Sequence, residues 1–211
     1  MKNHSAGAFL ALALLFAGIL PASAADPAGL TCVGVYSETS AGSVSWRTGS
    51  TAWTAVKVGD VLPATAEIRI NVDRDWVEFV QNGKPGAVYE IPGPPSGEKI
   101  LKAADILKLK PRAVAFPKGA AGKPDAAYKD KLTVVEYLGR QIYLTADGDS
   151  RDIKYGDVLD AKGKVKIIAI NNTITLMNAE GAVVKVIGPL TFTIADVLGN
   201  KNLYKFLNVQ K

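Results

Sequence analysis

Histidine is the side chain that most often moves protons near neutral pH, and this chain has one, His4. His4 lies in an N-terminal segment expected to be cleaved. The mature chain therefore holds no Ser-His-Asp or Cys-His pair and no imidazole metal ligand. Cys32 is the sole cysteine, so no disulfide can close within the chain. Its expected role is a small buried side chain at the start of a strand, with an intermolecular disulfide as the alternative. Asp147-Gly148-Asp149-Ser150-Arg151-Asp152 gathers carboxylates as a hard cation requires. However, Arg151 occupies a ligand position of the EF-hand pattern, and Val158 stands where its closing glutamate belongs. A polar hairpin is the expectation there, and a turn at Asp73-Arg74-Asp75. Gly119-Ala120-Ala121-Gly122-Lys123-Pro124 has the residues of a phosphate loop without its spacing or its Ser/Thr, and Pro124 removes an N–H that the cradle needs. No metal and no cofactor is expected. Two facing carboxylates would suffice for a glycosidase, but no such pair is evident from the spacing. The chain reads as a non-enzyme.

The aromatic residues are the remaining candidates. Trp46, Trp53 and Trp76 all fall in the first half, with Tyr89 close behind. These four are the candidate binding residues. Trp46 and Trp53 could form a stacking platform for a glycan, or anchor a protein interface. The competing expectation is that all three tryptophans fill the core of a small β-domain.

The elements that would position them come in two copies. VKVGDVL at 56–62 returns as IKYGDVL at 153–159. Each copy is followed by an alternating apolar-polar run, EIRINVDRDWVEFVQNG at 67–83 and KVKIIAINNTITLMNAEG at 164–181. Then comes an aliphatic segment closed by Gly-Pro, AVYEIPGP at 87–94 and AVVKVIGP at 182–189. AADIL at 103–107 is echoed by IADVL at 194–198. A repeat of this length predicts two tandem copies of one small β-domain. Alternation predicts strands at 43–46, 51–58, 67–72, 76–81 and 87–91, and then at 133–138, 140–145, 151–156, 164–170, 173–178, 182–187 and 191–197. Asn82-Gly83 is a tight-hairpin signal, with Glu180-Gly181 in the same place later. Gly59-Asp60 and Gly156-Asp157 are expected to be turns, with glycine supplying backbone freedom and aspartate bonding nearby N–H groups. Helix is expected only at Ala103–Leu109 and, closing the chain, over 200–209. The fold expected is all-β: two tandem small twisted sheet or sandwich-like domains with a short C-terminal helix.

The domain reading is a signal peptide at 1–24, a β-domain at 25–109, a basic Pro/Gly/Ala-rich linker at 110–131 and a second β-domain at 132–211. The signal rests on Lys2, the apolar run Ala6–Leu20, Pro21 and the cleavage motif Ala22-Ser23-Ala24. The run is too short to span a membrane, and nothing later approaches a spanning length. A periplasmic or extracellular location is expected. Formal net charge is +5, and seven basic residues from Lys108 to Lys131 face only Asp125 and Asp130. The excess therefore sits in the connector, which argues against nucleic-acid binding.

The Val-Gly-Asp-x-Leu run, paired strands and aliphatic Gly-Pro strand together resemble the periplasmic FecR domain family. The resemblance spans VKVGDVL to EIPGP and IKYGDVL to VIGP, most of both units but not the linker. It implies an all-β fold of twisted short strands and protein-protein contact rather than chemistry. Signalling members carry a cytoplasmic helical segment that holds a sigma factor, a membrane span and a C-terminal domain that meets an outer-membrane receptor. This chain carries two copies of the motif, and neither of the first two parts is expected in it. Pro63-Ala64-Thr65 also replaces the glycine usual after the motif's leucine, a glycine that Gly163 partly restores in the second copy. The function expected is a non-catalytic binding or scaffold component of the bacterial envelope, working through an envelope protein partner or self-association. The alternative is a glycan- or peptidoglycan-binding module that uses the first-domain aromatics.

Overall fold

The computed structural model describes residues 29–37, 43–116 and 126–199. The signal segment, the run at 119–124 and the helix expected over 200–209 lie outside the described residues. The chain is all-β. Its first unit runs β1 (Leu30–Tyr36), β2 (Val44–Thr48), β3 (Thr54–Ala55), β4 (Val61–Leu62), β5 (Ala66–Ile70), β6 (Trp76–Gln81), β7 (Lys84–Pro92), β8 (Lys99–Lys102) and a one-turn helix α1 (Ala103–Ile106). After β9 (Arg112–Ala113) and a 3-10 turn at Ala126–Tyr128, the same series returns. It runs β10 (Lys131–Leu138), β11 (Gln141–Leu144), β12 (Ser150–Asp152), β13 (Val158–Asp160), β14 (Lys164–Ile167), β15 (Thr173–Met177), β16 (Val183–Ile187), β17 (Leu190–Thr193) and α2 (Ile194–Leu198). Among the described strands, β9 alone has no counterpart.

Each unit folds its own four-stranded sheet, β3-β2-β5-β8 in the first and β12-β11-β14-β17 in the second. The remaining strands of both units merge into one nine-stranded sheet, ordered β16-β15-β10-β1-β6-β7-β9, with β4 on β1 and β13 on β10. The seam is the parallel pair β1–β10, with Gly34 opposite Tyr137 and Val35 opposite Leu138. Both seam strands carry a bulge at the same place, between Cys32 and Gly34 and between Val134 and Glu136. Gly34 has to be glycine here, because a Cβ would overlap the Tyr137 ring across the seam.

The alternation of β6 shows how the core is divided. Val77 and Phe79 turn toward the first unit's own small sheet and join Ile68, Ile70 and Ile91. Trp76 and Val80 point the other way, into a second core with Leu132, Val134 and Val165 of the second unit. The first unit's large-sheet strands are thus covered on both faces, and β6 is buried along its middle, whereas β14 alternates exposed and buried. Cys32 is buried in the first core, as expected, and its thiol is held protonated far above the ordinary range because burial removes the water a thiolate needs.

The repeated turns have a local cause. Asp60 Oδ2 accepts from Lys57 N at 2.8 Å, and Asp157 Oδ2 from Lys154 N at 2.9 Å. Gly59 and Gly156 take φ +91° and +80°. These turns cut short two of the expected strands. Of 51–58 only Thr54–Ala55 is in a ladder, and of 151–156 only the first part. The strand expected at 191–197 is also corrected. It ends at Thr193, whose backbone is extended and whose Oγ1 accepts from Asp196 N at 3.1 Å, an N-cap that starts α2. In the 82–83 hairpin, Gly83 alone takes positive φ.

Candidate functional site

The strand pattern of β6 and β7 places two carboxylates, Glu78 and Glu90, on the face that meets the second unit. Glu78 is completely buried. Its Oε1 accepts from Arg112 Nη2 at 2.6 Å and its Oε2 from Tyr155 N at 2.8 Å. Arg112 also donates to the Tyr155 carbonyl at 3.0 Å. Tyr137 donates its hydroxyl proton to Glu78, and its oxygen accepts from Trp76 Nε1 at 2.7 Å. Desolvation pushes the Glu78 carboxyl above the ordinary range, opposed by the Tyr155 N–H, by the Arg112 charge and by its hydrogen bonds to Tyr137 and Arg112. Next to it Lys154 Nζ clamps both Glu90 oxygens, at 2.7 and 2.8 Å. This joint is a positioning device. These polar groups are spent on fixing one unit, and the β9 arm, against the other.

The four aromatic candidates do not converge. Trp76 stacks on Tyr36 with ring centroids 3.6 Å apart, inside the joint. Tyr89 is buried in the first unit's core, and Trp46 packs against that core with its indole nitrogen buried. Trp53 is on the outer face of the small sheet, with the Arg47 and Arg69 guanidiniums 4.3 and 4.4 Å from its ring centroid. A sugar stacking on Trp53 has to displace a cation–π contact worth about 0.5–1 kcal/mol at an exposed site.

A surface cleft of about 590 Å³ opens in the second unit beside Tyr143, lined by Asp130, Lys131, Asp147, Asp160 and Lys162. Its three carboxylates face two lysines, and Lys131 Nζ lies 3.9 Å from Asp160. Among the described residues no group of three or more His, Cys, Asp or Glu is arranged to hold a metal ion. The 147–152 segment forms the β11–β12 hairpin, with Thr145 N bonding the Asp149 carbonyl at 2.9 Å.

The two ends of the nine-stranded sheet differ. At one end β7 is sealed by β9, with Ala87 opposite Ala113, Val88 opposite Arg112, and Val114 N bonding the Gly86 carbonyl at 2.9 Å. Val114 and Phe116 continue that arm into the second core, and Phe116 meets Tyr155 edge-on with centroids 5.5 Å apart. At the other end is β16, sequence VVKVI, and among the described residues no strand lies outside it. Asn178 N bonds the Ala182 carbonyl and Gly188 N the Asn172 carbonyl. Bonding alternates along an antiparallel ladder, so residues 184 and 186 bond inward to β15. Val183, Lys185 and Ile187 therefore turn their N–H and C=O groups outward. The edges of the small sheets are shorter: β3 has two residues, β12 is Ser-Arg-Asp, and β8 and β17 have four residues each.

Reading the aromatic residues alone missed β16 and the Glu78–Arg112 pair. A signal for the first was present: aligning VYEIPGP with VVKVIGP sets Glu90 against Lys185, a reversal of charge at one place in the repeat. No protein-family model, curated protein or solved structure matches this chain.

Proposed function

We propose that this protein is a non-enzymatic binding or scaffold component of the bacterial envelope, built from two FecR-like domains and acting through protein–protein contact. The observation that carries this reading is the outer side of β16, where the N–H and C=O groups of Val183, Lys185 and Ile187 meet no strand among the described residues. An edge of this kind can accept an extended segment of a partner. The joint supports a rigid presenter. It buries Glu78, Tyr137 and Val88 between the units and holds the edge in a fixed relation to the rest of the molecule. The signal-like N-terminus and the repeated Gly-Asp-x-Leu motif support the envelope and family parts of the reading.

The test is crosslinking in cells followed by pull-down of the protein from the envelope fraction and mass spectrometry. Recovery of one stoichiometric protein partner is the expected result. Recovery of none, with the chain retained on washed cell-wall sacculi, would replace this reading with glycan binding.

A further inference from the structure

The two sheet ends are built alike and differ in charge at one matched position of the repeat, Glu90 against Lys185. In the first unit, β7 presents Glu90 beside Glu78 on one face, and the strand that seals it, β9, brings Arg112 to that face. The matching row in the second unit is Lys185, Thr175 and Glu136, and Glu136 is engaged by Thr175 Oγ1 at 3.1 Å. The edge position that carries a carboxylate in β7 thus carries an exposed ammonium in β16.

From this we infer that β16 docks an extended acidic–aliphatic segment of a separate protein, which pairs with the outward-facing Val183, Lys185 and Ile187. This rests on the docking reading above and names the chemistry of the partner. Two other occupants fit less well. A second copy pairing β16 on β16 about Lys185 would set like charges opposite one another, which destabilises a ladder. Residues 200–211 of this chain carry Lys201, Lys205 and Lys211 and no acid. The aliphatic residues of the incoming strand would extend the surface of Val183 and Ile187, both half-buried.

The probes are two synthetic peptides. One has the sequence of residues 109–116, which includes β9, and the other has the same sequence with Lys110→Glu and Arg112→Glu. Each is titrated by fluorescence anisotropy onto the full chain. The acidic peptide should bind the wild-type chain more tightly than the basic one by about threefold, the scale of exposed cross-strand charge pairs. Lys185→Glu should invert that order. Lys185→Pro removes an outward N–H while leaving the bonds to β15 in place, and should weaken the acidic peptide about tenfold or more. Circular dichroism would confirm that both variants stay folded.

Equal binding of the two peptides, or binding indifferent to Lys185→Pro, would overturn the inference. So would a dimer that Lys185→Pro dissociates, which gives the edge to a second copy, or peptide binding that emerges only on removal of residues 200–211. If the pull-down returns an envelope protein while both peptides fail, the docking function survives and this inference falls. Acidic-peptide binding that Lys185→Pro abolishes supports it even where the pull-down returns no protein.

Discussion

Arg112→Met isolates the joint between the units. Arg112 is the cation paired with Glu78, a carboxylate with no exposed surface. Removing one partner of a buried ion pair costs about 3–5 kcal/mol, because the other charge is left uncompensated. The lower end applies, since Glu78 keeps the Tyr155 N–H and the Tyr137 hydroxyl, and since Arg112 is itself 37% exposed. About 3 kcal/mol at pH 7.5 corresponds to a fall in Tm of roughly 6–12 °C for a chain of this size. The effect has a pH signature. Burial holds the folded-state pKa of Glu78 above its ordinary value of 4.5, so between those two values the folded state binds more protons than the unfolded one. The stability this group contributes is complete below the unfolded pKa and is lost as pH rises through the folded one. Without Arg112 the folded pKa moves higher still, and the loss deepens. Urea denaturation of wild type and Arg112→Met from pH 5 to 8 should therefore show a stability gap that widens with pH. Glu78→Gln, which removes the charge, should recover most of that gap in the double variant. A gap independent of pH, or a double variant no better than the single one, would refute the claim that a buried charge is the cause.

Gly34→Ala should destabilise by about 1–3 kcal/mol in urea melts, because the added Cβ meets the Tyr137 ring. Thr193→Ala removes the N-cap of α2 and should cost about 1 kcal/mol in the same assay, while Thr191→Ala, an exposed position on the same strand, should cost little. Cys32 should resist a thiol reagent such as DTNB at pH 8 in the native protein and react promptly in urea, since it is buried and its thiol is held protonated; rapid native labelling would contradict the placement of β1.

Much of the fold was legible because local rules repeat. The bounds of β6 could be read directly from the alternation of WVEFVQ, and both Gly-Asp turns from their residue types. The helical turn α2 was legible too, through its echo: IADVL matches AADIL, and Thr193 before it is a capping residue, yet alternation over 191–197 mimics a strand. β9 was hidden among linker residues, because two strand residues beside Pro111 carry no periodic signal.

The sequence by itself determined the two-copy plan, the all-β class and the turn chemistry, since each depends on residues a few positions apart. The tertiary structure alone decided that β1 pairs with β10 and so fuses the copies into one sheet. It alone decided that the polar face of β6 is buried, making Glu78 and Arg112 a joint, and that β9 seals one sheet end while β16 is the last strand at the other among the described residues. The physical reason is that alternation records which face of a strand is apolar, but not which distant edge it will meet. That choice is made by long-range packing, by loop-closure entropy and by the fit of Tyr137 over Gly34.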